Sequence, residues 1–241
     1  MTKINQNLIE AGQLAAKIHH EVAEMTNPGV NLLQIEQLIA RLITSSGFNA
    51  AFLGYKNYPA ASCLSVNSDV VHAIPQDYVL KIGDVLAVDF GVAKNGSIVD
   101  TARTYSIGKV SSEAAKLIKV TERALKEAIR LDRAGGRVGD IGHCIQKIVE
   151  TNGFFIIKDL TGHGVGRELQ VPPSIPNFGR SGKGAEIKEG MVLAIEPITA
   201  LKPVDIRLEK DRWTVRAHPD VICAHFEDTI FVTDGDPIIL T

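Results

Sequence analysis

The chain is poor in the features that several protein classes require. Its 241 residues include three cysteines, Cys63, Cys144 and Cys223, far apart and without a CxxC pair. An odd, scattered set of thiols makes no disulfide framework and is expected of reduced cysteines in a cytoplasmic protein. No apolar run reaches the ~18 residues that a membrane span needs. Basic clusters are missing too, and the net charge is −2, which sets aside nucleic acid and anionic membranes as main partners. The opening MTKINQNLIEAG is too polar for a signal peptide. Without a Ser/Gly/Pro-rich linker at mid-chain, one large domain with a substantial core is expected rather than two small ones.

What the chain does have is a repeat. KIGDVLAVD, ending at Asp89, and KEGMVLAIE, ending at Glu196, match position for position at an offset of 107. Each reads as a turn at Gly83 or Gly190 and then an apolar run suited to a buried strand. A carboxylate closing such a run loses hydration worth several kcal/mol unless a charge partner or a metal ion replaces the water. Upstream, Ile35, Ile39, Ile43, Gly47 and Phe48 recur 106 residues on as Ile141, Ile145, Val149, Gly153 and Phe154. Apolar spacing of four makes each set a helix face, and Gly-Phe marks the exit from the helix. A preceding helix is expected over Gln6–Met25 and over Ser112–Leu131, each followed by a Pro-Gly or Gly-Gly turn. The halves therefore read as pseudo-repeats of about 6–110 and 112–241.

Three further residues sit in notable settings. Asp100 follows Asp89 across AKNGSIVD, where Asn95-Gly96 is a two-residue hairpin signal that brings Asp100 back beside Asp89. Glu227 falls in AHFEDTIFV, which reads as one strand over Ala224–Val232. His163 lies between Gly162 and Gly164, where glycines let the backbone bend sharply and leave the ring unobstructed. Singly, each has a plainer reading: a turn cap, an edge residue facing water, a loop histidine. Gathered in one place, four carboxylates would repel, and at least two would take up protons at neutral pH. Two divalent cations cancel the four charges. A donor set of four carboxylates and one imidazole suits Mn, Fe(II), Co or Zn. Two such ions sharing carboxylates can hold a hydroxide and polarise a carbonyl, a route to hydrolysis at neutral pH.

VVHAIP around His72, VDFG at Asp89, VDTART at Asp100, TGHGVG at His163, LAIEP at Glu196 and HFEDTI at Glu227 stand in order with compatible spacing. Together they resemble the type I methionine aminopeptidases of the pita-bread metallopeptidase family over essentially the whole chain. The resemblance implies an α+β fold: a curved antiparallel sheet with helices on its outer face, duplicated about a pseudo-two-fold axis in one catalytic domain, 1–241. It implies that Asp89 chelates one ion, that His163 and Glu196 hold the other, and that Asp100 and Glu227 bridge both. The implied activity is removal of the N-terminal methionine from nascent proteins with a small second residue, by a hydroxide held between the metals. His72 would hydrogen-bond the scissile amide, and Glu196 would also shuttle a proton. Nascent polypeptide N-termini are the implied partners, with the ribosome a further candidate, and a monomer is expected. Neither the long insertion of type II enzymes nor the N-terminal zinc-binding extension of some type I enzymes is expected in this chain.

The family's methionine-pocket positions fall on Phe52, Tyr55, Tyr58, Cys63 and Trp213, apolar and polarisable walls that could equally be core packing. Thr2 is small enough for the chain to be its own substrate, which intact-mass measurement would test. One departure stands out. Where the family places a second histidine, seven residues after His163, this chain has Gln170, with Leu169 beside it. A glutamine amide can still donate to a carbonyl but cannot become a cation, so altered rate or substrate range is expected. An Xaa-Pro aminopeptidase uses the same ligand set, though such enzymes normally carry an added N-terminal domain. A weakened binding protein on this fold would usually lack several ligands, and all five are present. Asp89-Phe90-Gly91 and Arg180–Lys183 imitate kinase and P-loop motifs without the residues those motifs need.

Overall fold

Two helix pairs form where apolar spacing predicts them. The computed structural model describes residues 4–241, so Thr2 lies outside the described residues. In chain order the first half comprises α1 (Gln6–Met25), α2 (Leu32–Ser45), β1 (Asn49–Ala50), β2 (Ser62–Val66), β3 (Asp69–Val71), β4 (Val85–Lys94) and β5 (Ser97–Ser106). The second begins with α3 (Ser112–Ile129), α4 (Val138–Thr151), β6 (Phe155–Ile156), β7 (Thr161–Val165) and β8 (Val171–Pro176). It continues through β9 (Val192–Ile195), β10 (Ile198–Ala200), β11 (Asp205–Leu208), β12 (Val215–His218), β13 (Cys223–His225), β14 (Asp228–Phe231) and β15 (Ile238–Ile239).

The start of α2 is fixed by a capping box, in which Asn31 accepts from the Leu33 amide and the Gln34 side chain accepts from the Asn31 amide. Ile35, Ile39 and Ile43 are fully buried, as are their counterparts Ile141, Ile145 and Val149 on α4. Each such side chain contributes roughly 1.5–3 kcal/mol through burial. Both helices stop at a glycine in the left-handed region, Gly47 at φ 76° and Gly153 at φ 84°, which a side chain would disfavour. The helix face and its glycine stop therefore recur in both halves. Only the end of α3 differs: it stops at Ile129 rather than Leu131.

Every strand pairing is antiparallel among the described residues, in four sheet segments. The helices pack on these sheets, α1 against β4 and β5, and α3 and α4 against strands of the second half. That packing makes two large apolar clusters, one around Ile18, Ile39 and Phe90 that also takes in Phe231 and Leu240, and one around Ile141, Leu193 and Ile230. Among the described residues no helix is long and apolar enough to cross a membrane.

Two local arrangements place the carboxylates. Asn95 and Gly96 both take positive φ, 51° and 77°, the two-residue turn whose twist suits a hairpin. Lys94 therefore pairs with Ser97, and the register runs back to put Gly91 opposite Asp100 and Asp89 opposite Ala102. Asp89 and Asp100 are diagonal neighbours. In the second half the ladder pairs Ile195 with Asp228 and Ile198 with His225. The register is the same on both sides of a short gap, and inside that gap Glu196 and Glu227 stand opposite each other.

Ala224–Val232 is thus not one strand, as its composition suggested. It divides into β13 and β14, in different sheets, with Phe226 and Glu227 between them. At Glu227 the backbone leaves the ladder to exchange hydrogen bonds with Ala102 of the other half, at 2.9 and 3.2 Å. Thr101 and Arg103 add side-chain donors to the Glu227 carbonyl, at 3.0 and 2.6 Å. This seam joins the halves and carries the last predicted ligand into position.

Candidate metal centre

All five predicted ligands line one cavity of about 180 Å³. Asp89 lies within β4 rather than at its end, because the strand runs on to the hairpin turn; its Oδ1 is buried with no hydrogen-bond partner. Asp100 is fixed through its backbone, whose N–H donates to Thr229 Oγ1 at 2.8 Å and whose carbonyl accepts from that hydroxyl at 2.7 Å. Its Oδ1 accepts from the Thr101 amide at 3.1 Å. Glu196 follows the end of β9, and Glu227 Oε1 is a second buried oxygen without a partner.

His163 corrects a further expectation. It sits in mid-strand on β7 rather than at a chain reversal, and the register with β8 shifts between His163 and Gly164. Its flanking glycines serve close approach instead: a Cβ on Gly162 would stand 2.5 Å from the Ala194 carbonyl oxygen, and one on Gly164 2.5 Å from that of Pro172. The Nδ1 of His163 lies 3.0 Å from the Gly164 carbonyl, which can only accept, so the proton belongs on Nδ1. Nε2 is left with its lone pair, facing Asp100 Oδ2 at 3.7 Å and Glu196 Oε1 at 3.6 Å.

Burial dominates the electrostatics. It raises the carboxyls of Asp89, Glu196 and Glu227 well above the usual range, and neighbouring carboxylates raise them further. Asp100 is pushed up to about 7, burial outweighing the Thr101 N–H. The imidazoles move the other way: burial lowers His163, takes His72 to about 4 and takes His225 to about 3. Without a cation the carboxyls therefore favour their protonated form and the rings stay neutral, so no charge inside the cluster balances ionised carboxylates. Orphaned carboxylate oxygens beside unprotonated ring nitrogens are a donor set that fits divalent cations.

The seven predicted substrate-binding residues line the same cavity: Phe52, Tyr55, Tyr58, Cys63, His72, Gln170 and Trp213. Tyr58 stands edge-on to Trp213, ring centroids 5.0 Å apart, and to Phe52 at 6.4 Å. Its hydroxyl donates toward the carbonyls of Ser62 and Ala73, and burial keeps the Cys63 thiol protonated. His72 holds a positive φ of 59°, a strained conformation for a residue with a side chain. Gln170 is exposed at the mouth. A second groove, of about 420 Å³, adjoins the first and shares His72, His163, Gln170 and Glu196 with it.

Two residues went unread in the sequence. Glu36, on α2, accepts from the amides of Ala61 and Ser62 and from the Ser62 hydroxyl, bracing the strand that carries Cys63. Nothing in its local pattern separates it from a solvated helix glutamate. His225 stands in HFEDTI itself, two residues before Glu227, and its ring nitrogen Nε2 faces the cluster without a hydrogen bond. Its nearness to a predicted ligand was the available signal.

The sequence pattern of metallopeptidase family M24 matches residues 6–234. The methionine aminopeptidase of Clostridium perfringens is 38% identical, over 98% of this chain and 97% of that protein. Methionine aminopeptidase 1 of Bacillus subtilis is also 38% identical, over 96% of this chain and 94% of its own. Among solved structures, methionine aminopeptidase from Thermotoga maritima superposes with a TM-score of 0.96 at 38% identity, covering 100% of this chain and 98% of that one. Prolidase from Pyrococcus furiosus shares the fold at 21% identity, with a TM-score of 0.79 over 98% of this chain and 63% of that one.

Proposed function

We infer that this chain, which belongs to metallopeptidase family M24, is a methionine aminopeptidase that removes the N-terminal methionine from polypeptides with a small second residue. Full-length likeness to proteins of that name supports the activity. The observation that carries the chemistry is the meeting of five ligand side chains with an aromatic slot in one cavity. Metallopeptidases bind divalent metal, and here the proposed holders are Asp89, Asp100, His163, Glu196 and Glu227. Two ions are the reading that balances four carboxylates, from among Mn, Fe(II), Co and Zn. When bound, such ions polarise the scissile carbonyl and make water nucleophilic at neutral pH.

The rest falls to side chains. Phe52, Tyr55, Tyr58, Cys63 and Trp213 enclose the methionine side chain and exclude water from it. His72, kept neutral by burial, hydrogen-bonds the scissile amide nitrogen. The Gln170 amide donates to the peptide carbonyl next in line. Glu196 takes a proton from the attacking water on an oxygen facing the cavity and returns it to the departing amine. The adjoining groove leads the remaining chain away, and crowding around the ligands limits the second residue. In this reading one catalytic domain spans 1–241, built from the two pseudo-repeats. Its partners are nascent N-termini, with the ribosome a candidate neighbour, and it works as a cytoplasmic monomer.

The test is an assay of metal-stripped protein on Met-Ala-Ser and Ala-Pro substrates after adding each of the four metals. Methionine release that depends on added metal is expected. Cleavage before proline, or inactivity with every metal, would overturn the reading.

A further inference from the structure

We propose that His225 is a metal ligand in its own right, completing with Glu196 and Glu227 a second imidazole–carboxylate triad. The inference rests on the metallopeptidase reading above and adds a sixth protein donor to it.

The two oxygens of Glu196 face different rings. Oε1 lies 3.6 Å from His163 Nε2, whereas Oε2 lies 3.5 Å from His225 Nε2. His225 Nε2 is also 3.8 Å from Glu227 Oε2. One donor atom from each of Glu196, His225 and Glu227 falls within 4.8 Å of the other two, and so does one from each of Asp100, His163 and Glu227. These are two triads, each of two carboxylates and one imidazole, that share Glu227 and leave Asp89 outside both.

Hydrogen bonding does not account for this placement. N–H···O bonds run about 2.7–3.2 Å, and both His225 gaps are longer. Donors about 2.1 Å from a common ion stand roughly 3.0–3.8 Å apart over bond angles of about 90–130°, and these gaps fall in that range. The nitrogen is buried and has no other partner, and a neutral imidazole presents a lone pair. The backbone fixes the ring as well. His225 ends β13 paired with Ile198, at the edge of the gap where Glu196 and Glu227 face each other. A second nitrogen among the donors favours Zn, Co or Fe(II) over Mn.

The test counts imidazoles. Metal-stripped protein loaded with two equivalents of Zn²⁺ is measured by X-ray absorption fine structure, where imidazole rings scatter distinctively. An average of about one imidazole per zinc is expected if His163 and His225 both bind. His225→Gln should halve that count and weaken one of the two calorimetric binding events by at least about 10-fold. Half an imidazole per zinc in the unmutated protein would overturn the proposal while leaving the metallopeptidase intact. Absence of zinc uptake would overturn the proposal, and absence of uptake of Mn, Fe(II) and Co as well would overturn the metallopeptidase reading with it. The count comes from the unmutated protein alone, so the outcome does not depend on whether the variant folds.

Discussion

Asp132, which does not line the cavity of the candidate ligands, offers a sharp test of the electrostatic reasoning. It follows α3, is 0% exposed, and neither carboxylate oxygen has a partner. Burial pushes its carboxyl up to about 8 from an ordinary 3.8. Across that window the folded protein carries a proton that the unfolded chain lacks, so folding takes up a proton. The associated stability is complete below pH ~4 and drains away up to pH ~8, by about 1.4 kcal/mol per unit. At pH 7 roughly three units have been crossed, which costs ~4 kcal/mol. Asp132→Asn removes the titration at nearly constant volume. Urea unfolding of both metal-free proteins, followed by the fluorescence of the single tryptophan, Trp213, measures the difference at each pH. The variant's advantage should grow by about 1.4 kcal/mol per unit from pH 5 to pH 8. Groups unchanged between the two proteins cancel in the subtraction. Parallel stability curves over this range would refute the reasoning.

Two further substitutions probe the site and its frame. Gly162→Ala sets a Cβ 2.5 Å from the Ala194 carbonyl oxygen, a backbone atom that cannot rotate aside. A loss of ~1–3 kcal/mol is expected from such overpacking, read as a fall of several degrees in melting temperature; an unchanged Tm would mean that β7 and β9 are not so closely apposed. Gln170→His restores an imidazole at the cavity mouth and should raise kcat/KM on Met-Ala-Ser by about 10-fold, a modest share of what one added proton-handling group can supply. No change would remove any catalytic meaning from that glutamine.

Much of this architecture could be read from the chain because its signals are local. The four-residue spacing of Ile35, Ile39 and Ile43 depends only on helical geometry, and Asn95-Gly96 fixes a hairpin register without outside help. Gly47 and Gly153 mark helix ends for the same reason. The errors came where distant chain decides. AHFEDTIFV has the composition of one strand, yet Glu227 is drawn out of it by Ala102, 125 residues earlier. The glycines around His163 suggested a bend, whereas the carbonyls of Ala194 and Pro172 demand their small size. Glu36 could be placed only once the sheets were assembled, since its partners Ala61 and Ser62 lie 25 and 26 residues away, whereas His225 carried a signal in its nearness to Glu227 that went unread. The candidate ligands that line one cavity were legible because Asp89 and Glu196 close apolar runs where solvation alone could not hold a charge, and because six motifs stand in order along the chain.

On the proposed ligand set, the seam between Ala102 and Glu227 makes completion of the metal centre a late event in the life of the chain. Asp89 and Asp100 belong to one half and His163, Glu196 and Glu227 to the other, so the full set of proposed donors exists only once the halves have docked. Closing loops of that length is entropically slow compared with forming helices and hairpins. Ion uptake should therefore lag behind secondary structure in refolding, and a colour change on cobalt binding would serve as a stopwatch for the docking of the two halves.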